Sequence, residues 1–221
     1  MLAVFEKGER LRHIGHLDIM RAMQRALRRS GLPVAYSNGF NPHILLTFAS
    51  ALSVGAVGKR EVMDVCLAED TDPGVFMNAM NHALPPDLQL ISCRAIDDRH
   101  PAPMSQVSAA EYSIRPAEAD SFHLSEDILA GFLKQEDIQA ERKTKSGIRS
   151  VNIRPLIQSL NVSGTAIHTV LTLTETQTCK PDMLLSALCA YMNCDIPRVR
   201  VTRLRLLGLS PDNRLVPVED L

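Results

Sequence analysis

The sequence predicts an α+β fold made of two similar lobes in tandem. The order of strands and helices predicted for residues 1–104 is repeated in residues 105–221. Residues 97–108 (DDRHPAPMSQVS) are polar and contain prolines, as is typical of a linker. Apolar residues make up 45% of the chain and charged residues 22%, a balance typical of a folded globular protein.

The elements of the first lobe follow from hydrophobic periodicity and from turn residues. A glycine followed by a proline, Gly31 and Pro33, ends the first helix, and Asp72 with Pro73 begins the second. Residues 34–58 contain turn signals but no clear periodicity. The predicted elements are a strand at 2–5, a helix at 17–29, a strand at 62–67, a helix at 72–83 and a strand at 88–96.

The second lobe repeats this order. Ser125 is a typical helix cap, and Pro181 with Asp182 is a typical helix start. The predicted elements are strands at 112–115, 138–143, 167–173 and 199–206, and helices at 125–134 and 181–193. Each lobe thus approaches the β-α-β-β-α-β order of a ferredoxin-like fold, which predicts mostly antiparallel sheets with helices on one face.

Charge is distributed unevenly along the chain. Residues 1–60 contain nine basic and three acidic residues, whereas residues 61–141 contain four basic and sixteen acidic ones. The remaining residues are again basic, with eleven bases and six acids. The formal net charge of −1 conceals this segregation, which indicates a surface for an anionic partner at the start of the chain.

The helix at 17–29 is predicted to carry arginines on its exposed side. On a helical wheel, Arg21, Arg25, Arg28 and Arg29 fall opposite an apolar face, with Asp18 among them. Guanidinium groups suit bidentate contacts with phosphate better than ammonium groups do. The pattern therefore predicts a polyanion-binding surface, and an ordinary solvated helix face is the alternative.

The segment before this helix adds Arg10, Arg12, His13 and His16. A helix start beside imidazoles and guanidiniums favours an anion site, and His16 as a capping residue is the alternative. Two histidines are too few for a zinc site, which needs three or four ligands, so no metal site is predicted.

The segment from 36 to 43 (YSNGFNPH) combines turn residues with side chains that bind nucleotides. Phe40 or Tyr36 would stack on a base, and Asn38 and Asn41 would contact base edges or ribose. His43 would join His16 as an acid–base pair for RNA cleavage without a metal. A purely structural turn is the alternative.

A second basic segment lies at 142–149. Arg142, Lys143 and Lys145 are predicted to contact a nucleic-acid backbone without reading its sequence. A basic hairpin tip with no ligand is the alternative.

The five cysteines form no C-x-x-C motif, and the sequence shows no signal peptide or apolar run long enough to span a membrane. These observations predict free, mostly buried thiols in a reducing cytoplasm, and no membrane association.

Three segments resemble the radical-SAM-linked protein family, a bacterial domain of unknown function found alone or behind a radical SAM module. They are residues 8–29, residues 36–43 with Phe48, Ala49 and Gly55 beyond, and residues 142–155, so the similarity spans essentially the whole chain. The resemblance implies a role in modifying tRNA or rRNA beside a radical SAM enzyme. Such enzymes hold their cluster with three closely spaced cysteines, whereas Cys189 and Cys194 have no third neighbour, so no cofactor is expected in this stand-alone form.

The favoured hypothesis is an accessory domain that binds RNA or another polyanion for a separate modifying enzyme. Two alternatives stay open. One is a metal-independent RNA-processing nuclease that uses His16 and His43, and the other is a protein-interaction module that docks the radical SAM partner. The sequence does not determine the oligomeric state.

Overall fold

A computed structural model describes residues 1–118, 124–144 and 147–221 of the chain. It confirms a mixed α+β architecture, and all strand pairs with a described register are antiparallel. The described strands are β1 (Leu2–Lys7), β2 (Leu46–Phe48), β3 (Ala56–Val65), β4 (Leu88–Arg94), β5 (Val107–Pro116), β6 (Gln139–Thr144), β7 (Gly147–Asn152), β8 (Ile157–Ser163), β9 (Ala166–Thr172), β10 (Val199–Leu209) and β11 (Leu215–Pro217). The described helices are α1 (His16–Arg29), α2 (Pro73–Ala83), α3 (Pro103–Gln106), α4 (Glu126–Leu133) and α5 (Pro181–Met192), with short 3₁₀ turns at Glu9–Leu11, Arg154–Leu156 and Val218–Asp220.

The chain divides into two compact units. The first contains residues 1–107 and 205–221, and the second contains residues 108–204. The sequence places a boundary at 104 and assigns the C-terminal residues to the second lobe, whereas they fold with the first unit. Two contacts join these residues to the first unit: Arg60 Nε lies 2.7 Å from Glu219 Oε1, and Arg94 Nη2 donates to the backbone oxygen of Leu221 at 2.8 Å.

The sheet of the first unit has β1 between β3 and β4, and β2 pairs with β3. Successive side chains of a strand point to opposite faces of the sheet, so Ala3 and Phe5 of β1 lie on the same face. Met63 of β3 lies on that face too, because it pairs with Ala3. These side chains form one core with both long helices of this unit, α1 and α2. α1 buries Ile19, Met23, Ala26 and Leu27 in that core, which confirms the predicted apolar face.

The second unit has the strand order β10-β5-β9-β8. β5 and β8 each pair with β9, and the N–H of Ala117 donates to the carbonyl of Arg198 at 2.8 Å where β5 and β10 meet. The rings of Phe132 and Tyr191 join α4 and α5 edge to face, with centroids 5.6 Å apart.

Most of the predicted helices and strands are confirmed. Capping residues at the helix ends explain why the helix boundaries could be predicted. The Asp72 carboxylate accepts from the N–H of Val75 at 3.0 Å, and the Ser125 hydroxyl accepts from the N–H of Ile128 at 3.3 Å. These caps satisfy N–H groups that a helix start leaves unpaired. Asn193 ends α5 in the left-handed conformation at φ 52°.

The predicted strand at 138–143 is confirmed as β6, which pairs with β7 in a two-stranded ribbon of the described residues. The sequence did not predict β8, which lies beside β9 and buries Ile157 and Leu160. The predicted linker at 97–108 is wrong, because these residues contain α3 and the start of β5.

Within the described residues, no helix is long and apolar enough to cross a membrane. All five cysteines are free thiols, as predicted, but only Cys179 and Cys189 are buried, and Cys66 and Cys194 are exposed. Burial raises the pKa of the Cys179 thiol to about 12, with a smaller contribution from the charge of Asp182. Burial likewise raises the pKa of Cys189 to about 12, and the adjacent thiol of Cys194 adds to the shift.

These pKa values predict two classes of thiol. A thiol with a pKa near 12 is ionised in only about one molecule in ten thousand at about pH 8, and the thiolate is the reactive form. We therefore expect Cys66 and Cys194 to react rapidly with a thiol reagent such as dithiobis(nitrobenzoate). Cys179 and Cys189 should react only after denaturation, which peptide mass spectrometry after alkylation would show. Labelling of Cys179 in the native protein as fast as that of Cys66 would contradict this burial.

Candidate functional site

The exposed side of α1 carries the arginines that the sequence predicts. Arg21, Arg25, Arg28 and Arg29 are all exposed and together form what is called the arginine face below. The buried side of the helix fixes their direction, because Met23 and Ala26 are fully enclosed in the core. The face lies in an unusually basic stretch, since no acidic residue occurs between Asp18 and Glu61.

Two members of the arginine face have intramolecular partners. Arg21 Nη1 lies 2.9 Å from Asp18 Oδ1, one turn earlier on the helix. Both side chains are more than 60% exposed, so this pair contributes little to stability and opens easily to another anion. Arg29 Nη2 donates to the carbonyl of Ala83 at 2.7 Å and so caps the last residue of α2.

Arg25 and Arg28 make no such intramolecular contacts within the described part of the chain. Neither has an ion pair or side-chain hydrogen bond with any residue that the structure describes. They lie three residues apart, about 4.5 Å along the helix axis. They therefore present two exposed cations side by side, with their hydrogen-bond donors directed to solvent.

The Arg10 side chain is 73% exposed, but its guanidinium binds a carboxylate that is only 24% exposed, and it does so in bidentate geometry. Its Nε and Nη2 donate to the two carboxylate oxygens of Asp87 at 2.7 and 3.1 Å, and its backbone N–H donates to the same side chain. These hydrogen bonds raise the pKa of Arg10 and lower the pKa of Asp87. The pair fixes the segment after β1 to the turn before β4.

Arg12 also has partners within its own segment. Its Nη1 contacts the carboxylate of Glu9, and its Nε donates to His13 Nε2 at 2.9 Å. The sequence offered Arg10 and Arg12 as ligand contacts, but in the structure both guanidiniums already bind groups of the same unit.

Lys7 organises the start of α1, and the sequence interpretation did not include it. Its side chain is only 2% exposed, and its Nζ donates to the carbonyls of Arg12 and Ala56 at 3.1 and 3.3 Å. The N–H of Gly55 also donates to the Arg12 carbonyl at 2.8 Å. A buried ammonium thus joins the segment before α1 to the first residue of β3.

His16 begins α1 and lines a small pocket beside Lys7. Its ring meets the ring of Phe48 edge to face, with centroids 5.2 Å apart. The pocket has room for about one water molecule. Its lining is Phe5, Lys7, His16, Ile19, Phe48, Ser50, Leu52 and Glu61.

Glu61 is the second buried charge that sequence reasoning missed. It is 3% exposed and packs over Gly58, where an added Cβ would lie 2.6 Å from Glu61 Cγ. The burial of both charges could have been predicted from the alternation of side chains along the strands. Lys7 lies two residues after the buried Phe5, and Glu61 lies two residues before the buried Met63, so each points to the same face as its apolar neighbour. Charged residues in a buried phase are costly and often mark functional sites.

The segment 37–43, called the hairpin tip below, is held closed by Ser37. The N–H of Ser37 donates to the carbonyl of His43 at 2.9 Å, and the His43 N–H donates to Ser37 Oγ at 3.1 Å. The same hydroxyl is hydrogen bonded to His43 Nδ1 at 2.8 Å. Asn38, Phe40 and Asn41 are all exposed.

The pocket that His16 lines contains no residue of the hairpin tip. One ring nitrogen of His43 is engaged by Ser37, and the His16 ring packs on Phe48. The structure therefore places the two histidines in different local surroundings.

The predicted basic residues of the second unit lie on the β6–β7 ribbon. Arg142 pairs with Arg149 across the two strands, and Arg149 is exposed. Lys143 lies on β6, but its side chain is outside the described part, and Lys145 is outside the described residues altogether. Within the described ranges, no group of three His, Cys, Asp or Glu side chains could hold a metal ion.

Residues 1–181 match a family described as uncharacterized proteins conserved in bacteria, DUF2344, and the chain belongs to this family. A search of curated proteins by sequence finds no match. Among solved structures, the chain is similar to one from the crystal structure of a Cbf5-Nop10-Gar1 complex, at 9% identity and a TM-score of 0.44. The alignment covers 93% of this chain and 48% of the other, so the chain spans about half the length of that protein. A likeness at this TM-score supports no inference about function.

The role of Lys7 can be tested by the substitution Lys7→Met, which keeps the length of the side chain and removes its donors. Two carbonyls lose a buried hydrogen bond, so we expect the free energy of unfolding to fall by about 2 kcal/mol. Urea denaturation would measure the change. The matched control is Lys59→Met on β3, because Lys59 is 52% exposed and makes a surface pair with Glu6. This control should change stability by less than about 1 kcal/mol, and equal losses in the two variants would contradict the role of Lys7.

Proposed function

We propose that the first unit binds RNA through the arginine face of α1 and presents it to a separate modifying enzyme. The observation that supports this most directly is the pair Arg25 and Arg28. Both are exposed, adjacent and without an ion-pair partner among the described residues. Other guanidiniums of this unit, such as those of Arg10 and Arg29, are bound to groups of the protein itself.

The physical basis of the proposal is the affinity of clustered guanidiniums for phosphates. A protein cation that contacts a phosphate releases a condensed counterion, and this release favours binding at low salt. Two neighbouring guanidiniums also fit phosphate oxygens in bidentate geometry. No acidic residue occurs in the sequence between Asp18 and Glu61, which limits repulsion of the nucleic acid by this segment.

We include a separate enzyme in the proposal because the sequence resembles the radical-SAM-linked family. Cys66, Cys93 and Cys179 are far apart in sequence, and Cys189 and Cys194 have no third neighbour. A cluster of the radical SAM type needs three closely spaced cysteines. The radical chemistry would therefore belong to the partner enzyme, and this chain would supply recognition in the cytoplasm.

We also infer that each unit is a variant of the ferredoxin-like fold. In the first unit, β1 lies between β4 and β3 and β2 adds to β3, with α1 and α2 as the connecting helices. In the second, the order β10-β5-β9-β8 is the corresponding one, with β6 and β7 as an insertion. The split order of strands supports this inference.

The nuclease alternative is not favoured by the geometry of the described residues. A general acid–base pair needs both groups within hydrogen-bonding reach of one reacting phosphate. His16 lines a pocket with room for about one water molecule, and His43 is hydrogen bonded to Ser37 outside that pocket.

The proposal predicts a change in salt dependence when Arg25→Glu and Arg28→Glu are combined. Loss of two phosphate contacts should make the negative slope of log affinity against log salt less steep by about 1.4. It should also weaken binding by about tenfold or more. Fluorescence anisotropy of labelled tRNA over a series of salt concentrations would measure both quantities.

The matched control combines Arg99→Glu and Arg214→Glu, which changes the charge of the same unit by the same amount at exposed positions outside α1. This control should retain most of the affinity and slope. Equal losses of affinity in the two double variants would show that only net charge matters and would contradict a specific role of α1, and unchanged binding in both would refute the proposal. Weakened capture of a protein partner with unchanged RNA affinity would assign the arginine face to protein docking instead.

A further inference from the structure

Phe40 is the most exposed large apolar side chain among the described residues. Its relative exposure is 112%, compared with 61% for Leu17 and 47% for Tyr36 in the same unit. A single exposed apolar residue needs no explanation by itself. The residues around Phe40, which hold it in place and are polar, are what suggest a ligand.

The hairpin tip presents Phe40 on a fixed base. Tyr36 and Ile44 form a β-bridge directly below the tip. The Ile44 side chain is 1% exposed and belongs to the core that also receives α1. Three hydrogen bonds between Ser37 and His43 close the tip above that bridge.

The backbone at the top of the tip turns in a conformation that favours glycine. Gly39 has φ of 121°, in a region that other residues rarely adopt. This turn places the following residue, Phe40, beyond the contacts of the hairpin. Binding of a ligand by such a preformed tip loses less conformational entropy than binding by a flexible loop.

The groups around Phe40 suit a nucleobase better than an apolar protein surface. The tip contains no acidic or basic side chain except His43, and its exposed neighbours are the amides of Asn38 and Asn41. A ring with amides on both sides can stack on a base while the amides bond to its edges. An apolar docking patch would instead need several contiguous apolar side chains.

We propose that Phe40 is a stacking platform for an unpaired base, so that the RNA recognised by this unit is single-stranded or looped rather than duplex. This inference rests on the proposed function, because the arginine face supplies the attraction for phosphates. Bases inside a duplex are stacked on one another and offer no free face to a protein ring. Single strands expose that face, and every base can use it.

The sequence makes a direct optical test feasible. The chain contains no tryptophan, so Phe40→Trp introduces a single fluorophore at the tip. Stacking of a base on the indole quenches its fluorescence. The control is Val75→Trp, which places a single indole on α2, at a residue that is 57% exposed in the same unit.

The probes are a short unstructured single-stranded RNA and a duplex of the same sequence. We expect the single strand to quench Phe40→Trp strongly, the duplex to quench it weakly, and neither to quench Val75→Trp. In the otherwise unchanged protein, Phe40→Ala should weaken binding of the single strand by about tenfold and leave duplex binding nearly unchanged.

The outcomes separate this inference from the proposed function. If both RNAs bind in a salt-dependent way but Phe40→Trp is not quenched and Phe40→Ala binds normally, RNA binding stands and the stacking platform is refuted. Equal quenching by the duplex would refute the preference for unpaired RNA. If neither RNA binds the unmodified protein at low salt, the proposed function and this inference are both refuted.

Discussion

Lys7 places a positive charge inside the first unit, at the end of β1, and the arrangement of the candidate site depends on it. The ammonium bonds to the carbonyls of Arg12, in the segment before α1, and of Ala56, the first residue of β3. Lys7 and His16, the first residue of α1, line the same small pocket. A buried ammonium needs such partners, because an unpaired charge inside a protein is very costly. These bonds tie the segment before α1 to the start of β3, and burial of the apolar side of α1 in the core determines which side faces solvent.

The arginines at and near α1 differ in whether the protein itself supplies them with a partner. The Arg10 and Arg29 guanidiniums bind Asp87 and the carbonyl of Ala83, and so hold segments together. Arg25 and Arg28 have no such partner among the described residues. An account of binding that counts basic residues alone would treat them as equivalent. The structure distinguishes them by their partners.

Local sequence signals predict the helices and most strands well. The features that they do not predict depend on contacts between residues far apart in the sequence. The periodicity of α1 and the caps Asp72 and Ser125 act within a few residues, so they can be read directly from the chain. The ion pair of Arg10 with Asp87 spans 77 positions, and no local pattern reports it. β8 was not predicted either, because its Ile157 and Leu160 are three residues apart and do not alternate strictly, and its place in the sheet depends on pairing with β9. The burial of Lys7 was readable in part from the alternation of β1, but its partners were not.

We propose that RNA contacts Arg25 and Arg28 because the fold leaves them without partners among the described residues. NMR of the arginine side-chain Nε–Hε signals in ¹⁵N-labelled protein, recorded while a short single-stranded RNA is added, shows which guanidiniums the RNA contacts. We expect the largest shifts for Arg25 and Arg28, with small shifts for Arg10, whose Nε is bonded to Asp87 at 2.7 Å. The largest shifts at Arg142 and Arg149 of the second unit, or none on α1, would contradict it.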